Sequence, residues 1–244
     1  MTYYLIKSAK RAALYDTSNS VVKFQDRSVS LAGNKVYTPG DQITVDGERF
    51  DVLIPNAANI PELFRRNTQV IHPSDYAYMI FRSGIAMNSR VLESGVGAGS
   101  LSAAILWVLS GGELVSVDNN PESLRNARDN VSPFFQDRKW TLVEGDVRAL
   151  NMSGQFDAVF LDIPDPWNAL GNLSGCMKRG GTIVTYSPNF NQVEDTVTVM
   201  KEMGYLHLET CELIKRNILV RKGHTRPDNR MVGHTGFITV GIRR

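Results

Sequence analysis

Val91-Leu92-Glu93-Ser94-Gly95-Val96-Gly97-Ala98-Gly99-Ser100-Leu101 runs from an apolar strand end through three glycines at alternate positions into a helix-forming stretch. Glycine lets the backbone turn sharply and approach a ligand closely, and a helix over 100–109 would offer its unpaired N–H groups to an anion. Twenty-three residues beyond Gly95, the apolar run 114–117 ends in Asp118, a carboxylate suited to grip two ribose hydroxyls. Order and spacing predict a Rossmann-type α/β fold with a nucleoside site at this loop.

The glycines narrow the ligand. A dinucleotide loop reads G-x-G-x-x-G, but here the third glycine comes one position early, at Gly99, and Ser100 takes its place. With no pyrophosphate to wrap, G-x-G-x-G opening a helix better suits the carboxylate of the methionine part of S-adenosylmethionine, with the adenosine reaching toward Asp118. The plainer alternative is a tight turn with no ligand.

Working outward, residues from about 74 onward alternate between helix and strand patterns, the signature of a mostly parallel sheet with helices on both faces. Helices are expected over 74–82, 100–109, 121–131, near 168–173 and over 192–203. Strands are expected over 90–93, 114–117, 140–143, 156–161, 182–186, 206–213 and 236–242. Residues 1–60 instead hold short runs (3–6, 21–24, 28–31, 42–45) broken by turn clusters, and Val45-Asp46-Gly47-Glu48 reads as a hairpin turn. The expected organisation is a small β domain over 1–60, suited to grip a large substrate or a neighbouring subunit, and a catalytic domain over 61–244.

Composition bounds the rest. The 244 residues are 42% hydrophobic and 21% charged, ordinary for a soluble globular chain. No apolar run approaches a membrane span and the first residues lack a signal peptide's pattern, so a cytoplasmic location is expected. Cys176 and Cys211 lie far apart without C-x-x-C spacing, which points to neither a zinc site nor a disulfide framework and leaves a single bridge open. Net charge is only +2, but the stretch from Cys211 to Arg244 carries eight Lys or Arg against Glu212 and Asp228. Such an excess suits phosphates, or is simply a solvated basic face.

Ligands of open α/β sheets bind beyond the carboxyl ends of the strands. Glu93, Asp118, the Glu144-Gly145-Asp146 turn and Asp162-Ile163-Pro164-Asp165-Pro166-Trp167 each follow a strand, so four acidic segments are expected to line one crevice. Asp146 suits the exocyclic amine of an adenine, or is a turn residue. Asp162 opens a loop stiffened by two prolines, which would hold a carboxylate in place.

Together these segments resemble a family, the tRNA (adenine-N1)-methyltransferases that modify position 58 of the T-loop. The resemblance rests on Thr68-Gln69-Val70-Ile71-His72-Pro73-Ser74-Asp75, Leu92 through Ser100, Leu161-Asp162 through Pro166-Trp167, Tyr186-Ser187-Pro188-Asn189 with Gln192, and Gly233-His234-Thr235-Gly236-Phe237. It covers the chain from about residue 50 to its end. Val96 stands where Thr is common, Ala98 where Ser is common, and Asp118 where Glu is usual.

The resemblance implies an α/β fold with a Rossmann-like class I methyltransferase sheet, a small N-terminal β domain, S-adenosylmethionine as cofactor, tRNA as partner, a homotetramer, and no metal. It implies that Ala98, Gly99, Ser100 and Leu101 hold the cofactor's methionine end, Asp118 its ribose and Asp146 its adenine, with Gln69 covering it. Glu93, Gly95, Gly97, Asn119, Ser123 and Val147 complete the expected cofactor set. Asp162 would be the catalytic aspartate. Adenine N1 carries its own in-plane lone pair, so alignment is needed and no nucleophilic Cys or Ser is. Because the target base must leave its stack, His72, Tyr78, Tyr186 and His234 are candidate base contacts, and Arg216, Arg221 and Arg230 candidate phosphate contacts. Methylation of position 57 as well as 58 is left open, as are an S-adenosylmethionine methyltransferase with another acceptor and a non-catalytic tRNA-binding subunit.

Overall fold

The structure, a computed structural model, describes residues 3–33, 35–65, 70–152 and 154–244. Its N-terminal part is an antiparallel sheet of β1 (Tyr3–Lys7), β2 (Ala12–Asp16), β3 (Val21–Lys23), β4 (Ser28–Ser30), β5 (Gln42–Val45) and β6 (Glu48–Leu53), ordered β4-β3-β2-β1-β6-β5. Strands β2 and β6 are additions to the sequence reading. In β6 only Phe50 and Val52 are buried while charged residues alternate with them, so no apolar run announces it. Residues Asp46 (φ 51°) and Gly47 (φ 77°) are both left-handed, the pattern of a two-residue turn that matches strand twist. Ile6, Tyr15, Val22, Ile43, Phe50 and Val52 form this sheet's core.

A second sheet contains β7 (Arg90–Ser94), β8 (Glu113–Asp118), β9 (Lys139–Glu144), β10 (Phe156–Leu161), β11 (Met177–Ser187) and β12 (Leu206–Glu212). A small hairpin of β13 (Ile218–Leu219) and β14 (Arg226–Pro227) precedes its last strand, β15 (Phe237–Ile242). The order is β12-β15-β11-β10-β7-β8-β9. Strands β9, β8, β7, β10 and β11 are parallel, while β15 runs antiparallel between β11 and β12.

Helices α1 (Pro73–Ser83), α2 (Ser100–Val108), α3 (Pro121–Val131), α4 (Leu170–Ser174) and α5 (Phe190–Glu202) cover both faces. Because side chains alternate along a strand, Val91, Ala158 and Phe160 pack with α1 and α2, while Leu92, Val159 and Leu161 pack with α4 and α5. Helix α2 is buried from Ser100 through Leu106, which explains a sequence apolar on every side. The N-terminal sheet is tied to the chain that follows it by the Lys7–Glu62 ion pair and by Tyr3, whose ring lies 6.3 Å from that of Phe134, while Phe64 lies 6.5 Å from the same ring.

Both cysteines are free thiols. Among the described residues no helix is long and apolar enough to cross a membrane, and no group of three or more His, Cys, Asp or Glu is arranged to hold a metal.

Candidate active site

Strand order reverses between β7 and β10, and there the carboxyl ends of both strands leave a crevice. Gly95 N–H donates to Val117 O (3.1 Å) and Asp162 N–H to Ser94 O (2.8 Å), so the two loops leaving β7 and β10 start from fixed points. Gly95, Gly97 and Gly99 have φ of 88°, 52° and 83°, and the loop they make folds over the end of β8. There Asp118 Oδ2 accepts from Val96 N (2.8 Å) and Gly97 N (3.3 Å) while Oδ1 accepts from Asn120 N (2.9 Å). A carboxylate has about four acceptor positions, so Asp118 ties the loop down and still has capacity for a hydroxyl donor.

Two openings follow. A cavity of about 440 Å³ is lined by Ser94, Asp118, Asn119, Asp146, Val147 and Asp162 among others. Beside it a narrow groove runs between Val70-Ile71 and the loop from Gly95 to Leu101, with Asp162 reaching both spaces. At the groove, α2 begins at Gly99 with no side chain capping it, and the buried Ser100 hydroxyl has no hydrogen-bond partner among the described residues. An uncapped helix start with an orphaned hydroxyl fits a carboxylate, and the cavity beside Asp118 fits a nucleoside. The residues present therefore fit S-adenosylmethionine.

Carboxylates dominate the crevice, with Arg148 as a cation on its wall. Glu93 is fully buried beneath the loop, with Oε2 accepting from Ser102 Oγ and Ser116 Oγ (both 2.6 Å) and Oε1 without a partner. It lines neither opening and braces the loop from below. Burial, opposed by those two hydroxyls and reinforced by the Asp162 and Asp118 charges, pushes it up to about 7. Burial, reinforced by Asp118, likewise pushes Asp162 up to about 7. No side chain among the described residues donates a hydrogen bond to the Asp162 carboxyl. It stands as a basic, uncommitted acceptor at the mouth of both openings.

A family model described as the tRNA methyltransferase complex GCD14 subunit matches residues 57–235. The chain belongs to this family. It is similar to the tRNA (adenine(57)-N(1)/adenine(58)-N(1))-methyltransferase TrmI of Methanocaldococcus jannaschii, 30% identical over 97% of this chain and 90% of that one. It is also 30% identical, over 89% of this chain and 76% of the other, to the catalytic subunit of the tRNA (adenine(58)-N(1))-methyltransferase of Dictyostelium discoideum. Among solved structures, the tRNA (m1A58) methyltransferase TrmI of Aquifex aeolicus has the same fold, with a TM-score of 0.78 at 24% identity, covering 100% of this chain and 97% of that one.

Against that family background the remaining sequence candidates separate. Gly97, Ala98, Gly99 and Leu101 sit in or at the groove loop, and Asn119 and Val147 line the cavity. Ser123 lies in the first turn of α3 and lines neither opening. Gln69 falls outside the described residues. Asp146 lines the cavity, but Arg148 holds both its oxygens (2.6–3.0 Å) and keeps its carboxyl below the usual range. The same guanidinium bonds Asp165 (2.7 and 2.9 Å), so Arg148 ties the turn after β9 to the Pro-Asp-Pro loop. Arg148 was not legible in the sequence, because its partners come from two separate loops.

Of the base-contact candidates, His72 caps α1 through its ring, with Nδ1 2.7 Å from Ser74 Oγ, and faces a second cavity. Tyr186 is buried and donates to Asp75 Oδ2 (3.0 Å) and Thr235 O (2.6 Å), a bracing role beside the crevice. Tyr78 points to the sheet edge, bonded to Glu209 (3.1 Å), and burial with that carboxylate pushes it up to about 12. His234 lies between Glu212 (2.5 Å) and the carbonyl of Pro188 (2.9 Å), with its ring 4.8 Å from Phe237. Both its nitrogens face acceptors, which favours the imidazolium and raises its pKa. Arg216 is exposed and, among the described residues, bonds Asp228 O at 3.5 Å.

One residue the sequence gave no reason to notice is Asn130, on α3. Its Nδ2 donates to Arg65 O and to Ala98 O (both 3.0 Å), and its Oδ1 accepts from Arg65 N (3.0 Å). A single amide thus joins the glycine loop to the chain leading toward Val70. Asn130→Ala is expected to raise the KM for S-adenosylmethionine about tenfold with kcat little changed, since three hydrogen bonds of about 1 kcal/mol each hold the groove and none touches the reacting atoms. Steady-state kinetics at varied cofactor checks it.

Proposed function

We propose that this chain transfers a methyl group from S-adenosylmethionine to N1 of adenosine 58 in the tRNA T-loop, with position 57 as a second site to be tested. The observation that carries the reading is Asp162: a carboxyl of raised basicity, without a hydrogen-bonded side chain among the described residues, where the cofactor groove meets the open cavity. Family membership supports the acceptor, and the full set of Gly95, Gly97, Gly99, Asp118 and Asp162 opposes a non-catalytic role.

In this reading the start of α2 binds the cofactor's carboxylate, Asp118 its ribose hydroxyls, and Asn119, Asp146 and Val147 line its adenine end. When bound, the cofactor supplies an electrophilic sulfonium methyl. The Asp162 carboxylate accepts a hydrogen bond from the target adenine's N6 amine. As N1 gains positive charge the amine becomes more acidic, and Asp162 stabilises that charge or takes the N6 proton. The basic stretch beyond Cys211, with Arg216, Arg221 and Arg230, supports phosphate contacts. We further propose a cytoplasmic homotetramer, whose mass light scattering would report.

Incubation with labelled S-adenosylmethionine and an unmodified tRNA transcript, followed by nuclease digestion and mass spectrometry, is expected to give 1-methyladenosine from the T-loop. Cofactor binding with no labelled tRNA would sink the reading.

A further inference from the structure

A second cavity, of about 250 Å³, opens on the far side of the Ile71-His72 backbone from the cofactor groove. It is below the roughly 300–1,000 Å³ typical of pockets that enclose a whole small ligand. Ile71 lines the groove with Asp162, while His72, the next residue, lines this cavity. On its other wall stands Thr235, whose carbonyl accepts the Tyr186 hydroxyl beside the crevice. The two spaces are therefore neighbours separated by one turn of chain.

The lining is specific. Lys215 and Arg230 both face the cavity, and neither side chain has an ion-pair or hydrogen-bond partner among the described residues. The nearby carboxylate of Asp228 accepts from the backbone N–H of Arg230 (2.9 Å) and from none of the cations' side chains. Asn217 adds an amide able to donate and accept, and the Thr235 hydroxyl is shielded from water with no partner among the described residues. Met231 and Val232, 49% and 61% exposed, supply an apolar ledge directly after Arg230. Uncommitted cations, a two-way amide and an apolar face are what one unstacked ribonucleotide asks for: phosphate, base edge and base plane.

We propose that this cavity holds the nucleotide adjacent to the target adenosine, with its phosphate on Lys215 and Arg230, its base edge on Asn217 and its base plane against Met231 and Val232. His72 then divides two splayed neighbours, and binding the second base helps to offset the unstacking of the first. This rests on the function proposed above and adds to it a subsite that sets which adenosine is presented to Asp162.

The test uses the full-length chain with unmodified tRNA transcripts in which the residue 5′ or 3′ of the target is made abasic in turn. Lys215→Ala and Arg230→Ala are each expected to weaken tRNA binding about tenfold and to lower the salt slope by about one, with S-adenosylmethionine affinity unchanged as the check on folding. One of the abasic transcripts should cost the wild-type chain about tenfold in kcat/KM and cost Asn217→Ala nothing further. Additive losses from the variant and the abasic site, or equal losses at both neighbours, would overturn the subsite while 1-methyladenosine formation still stood. Absence of methylation in every transcript would instead strike the proposed function.

Discussion

Asp162→Asn is expected to lower kcat by about 10²–10⁴-fold while leaving S-adenosylmethionine bound. The amide keeps the size and position of the carboxyl at the end of β10, and the backbone bond from Asp162 N to Ser94 O is untouched. What is lost is the acceptor that answers the charge developing on the adenine. Because the carboxyl receives no hydrogen bond from any described side chain, no partner is left stranded by the change. Burial and Asp118 penalise its ionised form, so the variant should be no less stable than the wild type at pH 8, and more stable if anything. Melting temperature and single-turnover rate together check this. A variant with normal turnover ends the catalytic assignment.

The same carboxyl sets the pH dependence. Asp162 works as the ionised base and is pushed up to about 7, so activity is lost as pH falls through that region. With both substrates below saturation, kcat/KM should fall about tenfold per pH unit below about 7, reporting Glu93 and Asp162 as a coupled pair. The stability argument has the opposite sign. These acids hold protons in the folded chain at pH values where the unfolded chain has released them. Stability therefore declines as pH rises from the ordinary carboxylate range toward about 7. A cationic cofactor relieves that cost, so S-adenosylmethionine should raise the melting temperature more at pH 8 than at pH 6.

How much of this was legible follows from how local each signal is. The glycine loop, Asp118 and Asp162 are consecutive in sequence with the strands that aim them, so spacing alone placed them at one crevice. The hairpin at Asp46-Gly47 was readable for the same reason. Strand β6 was not, because a strand with one polar face has no continuous apolar run, and β2 was missed because its apolar run, Ala12-Ala13-Leu14-Tyr15, begins with two alanines, which are weak strand formers. Glu93 was read as a cofactor contact, yet the register that sets it opposite Ser116 turns it beneath the loop. Tyr78 and Tyr186 were read as aromatic planes, but their hydroxyls are committed to Glu209 and to Asp75 with Thr235. Asn130 and Arg148 act across segments far apart in sequence, and no pattern within a window can show that.

Gly95→Ala is expected to abolish cofactor binding, with kcat/KM reduced by 10³-fold or more. Gly95 has φ of 88°, where a side chain costs about 1–2 kcal/mol by itself. That strain alone would be tolerable. Gly204, at φ 78°, has open space where its Cβ would go, so Gly204→Ala should cost about that much in stability and leave activity alone. At Gly95 the added Cβ would lie 1.9 Å from the Asp162 carbonyl oxygen and 2.7 Å from its carbon. Those are backbone atoms, which no rotamer change can move aside. Either the glycine loop lifts from the end of β8, breaking the Val96 and Gly97 bonds to Asp118, or the loop after β10 retreats and takes Asp162 with it. The first loses the cofactor and the second the base, so both routes end in an inactive chain. Isothermal titration with S-adenosylmethionine, run on both alanine variants, separates the close approach from the backbone angle. Equal affinities would show that the contact between the two loops does not govern the site.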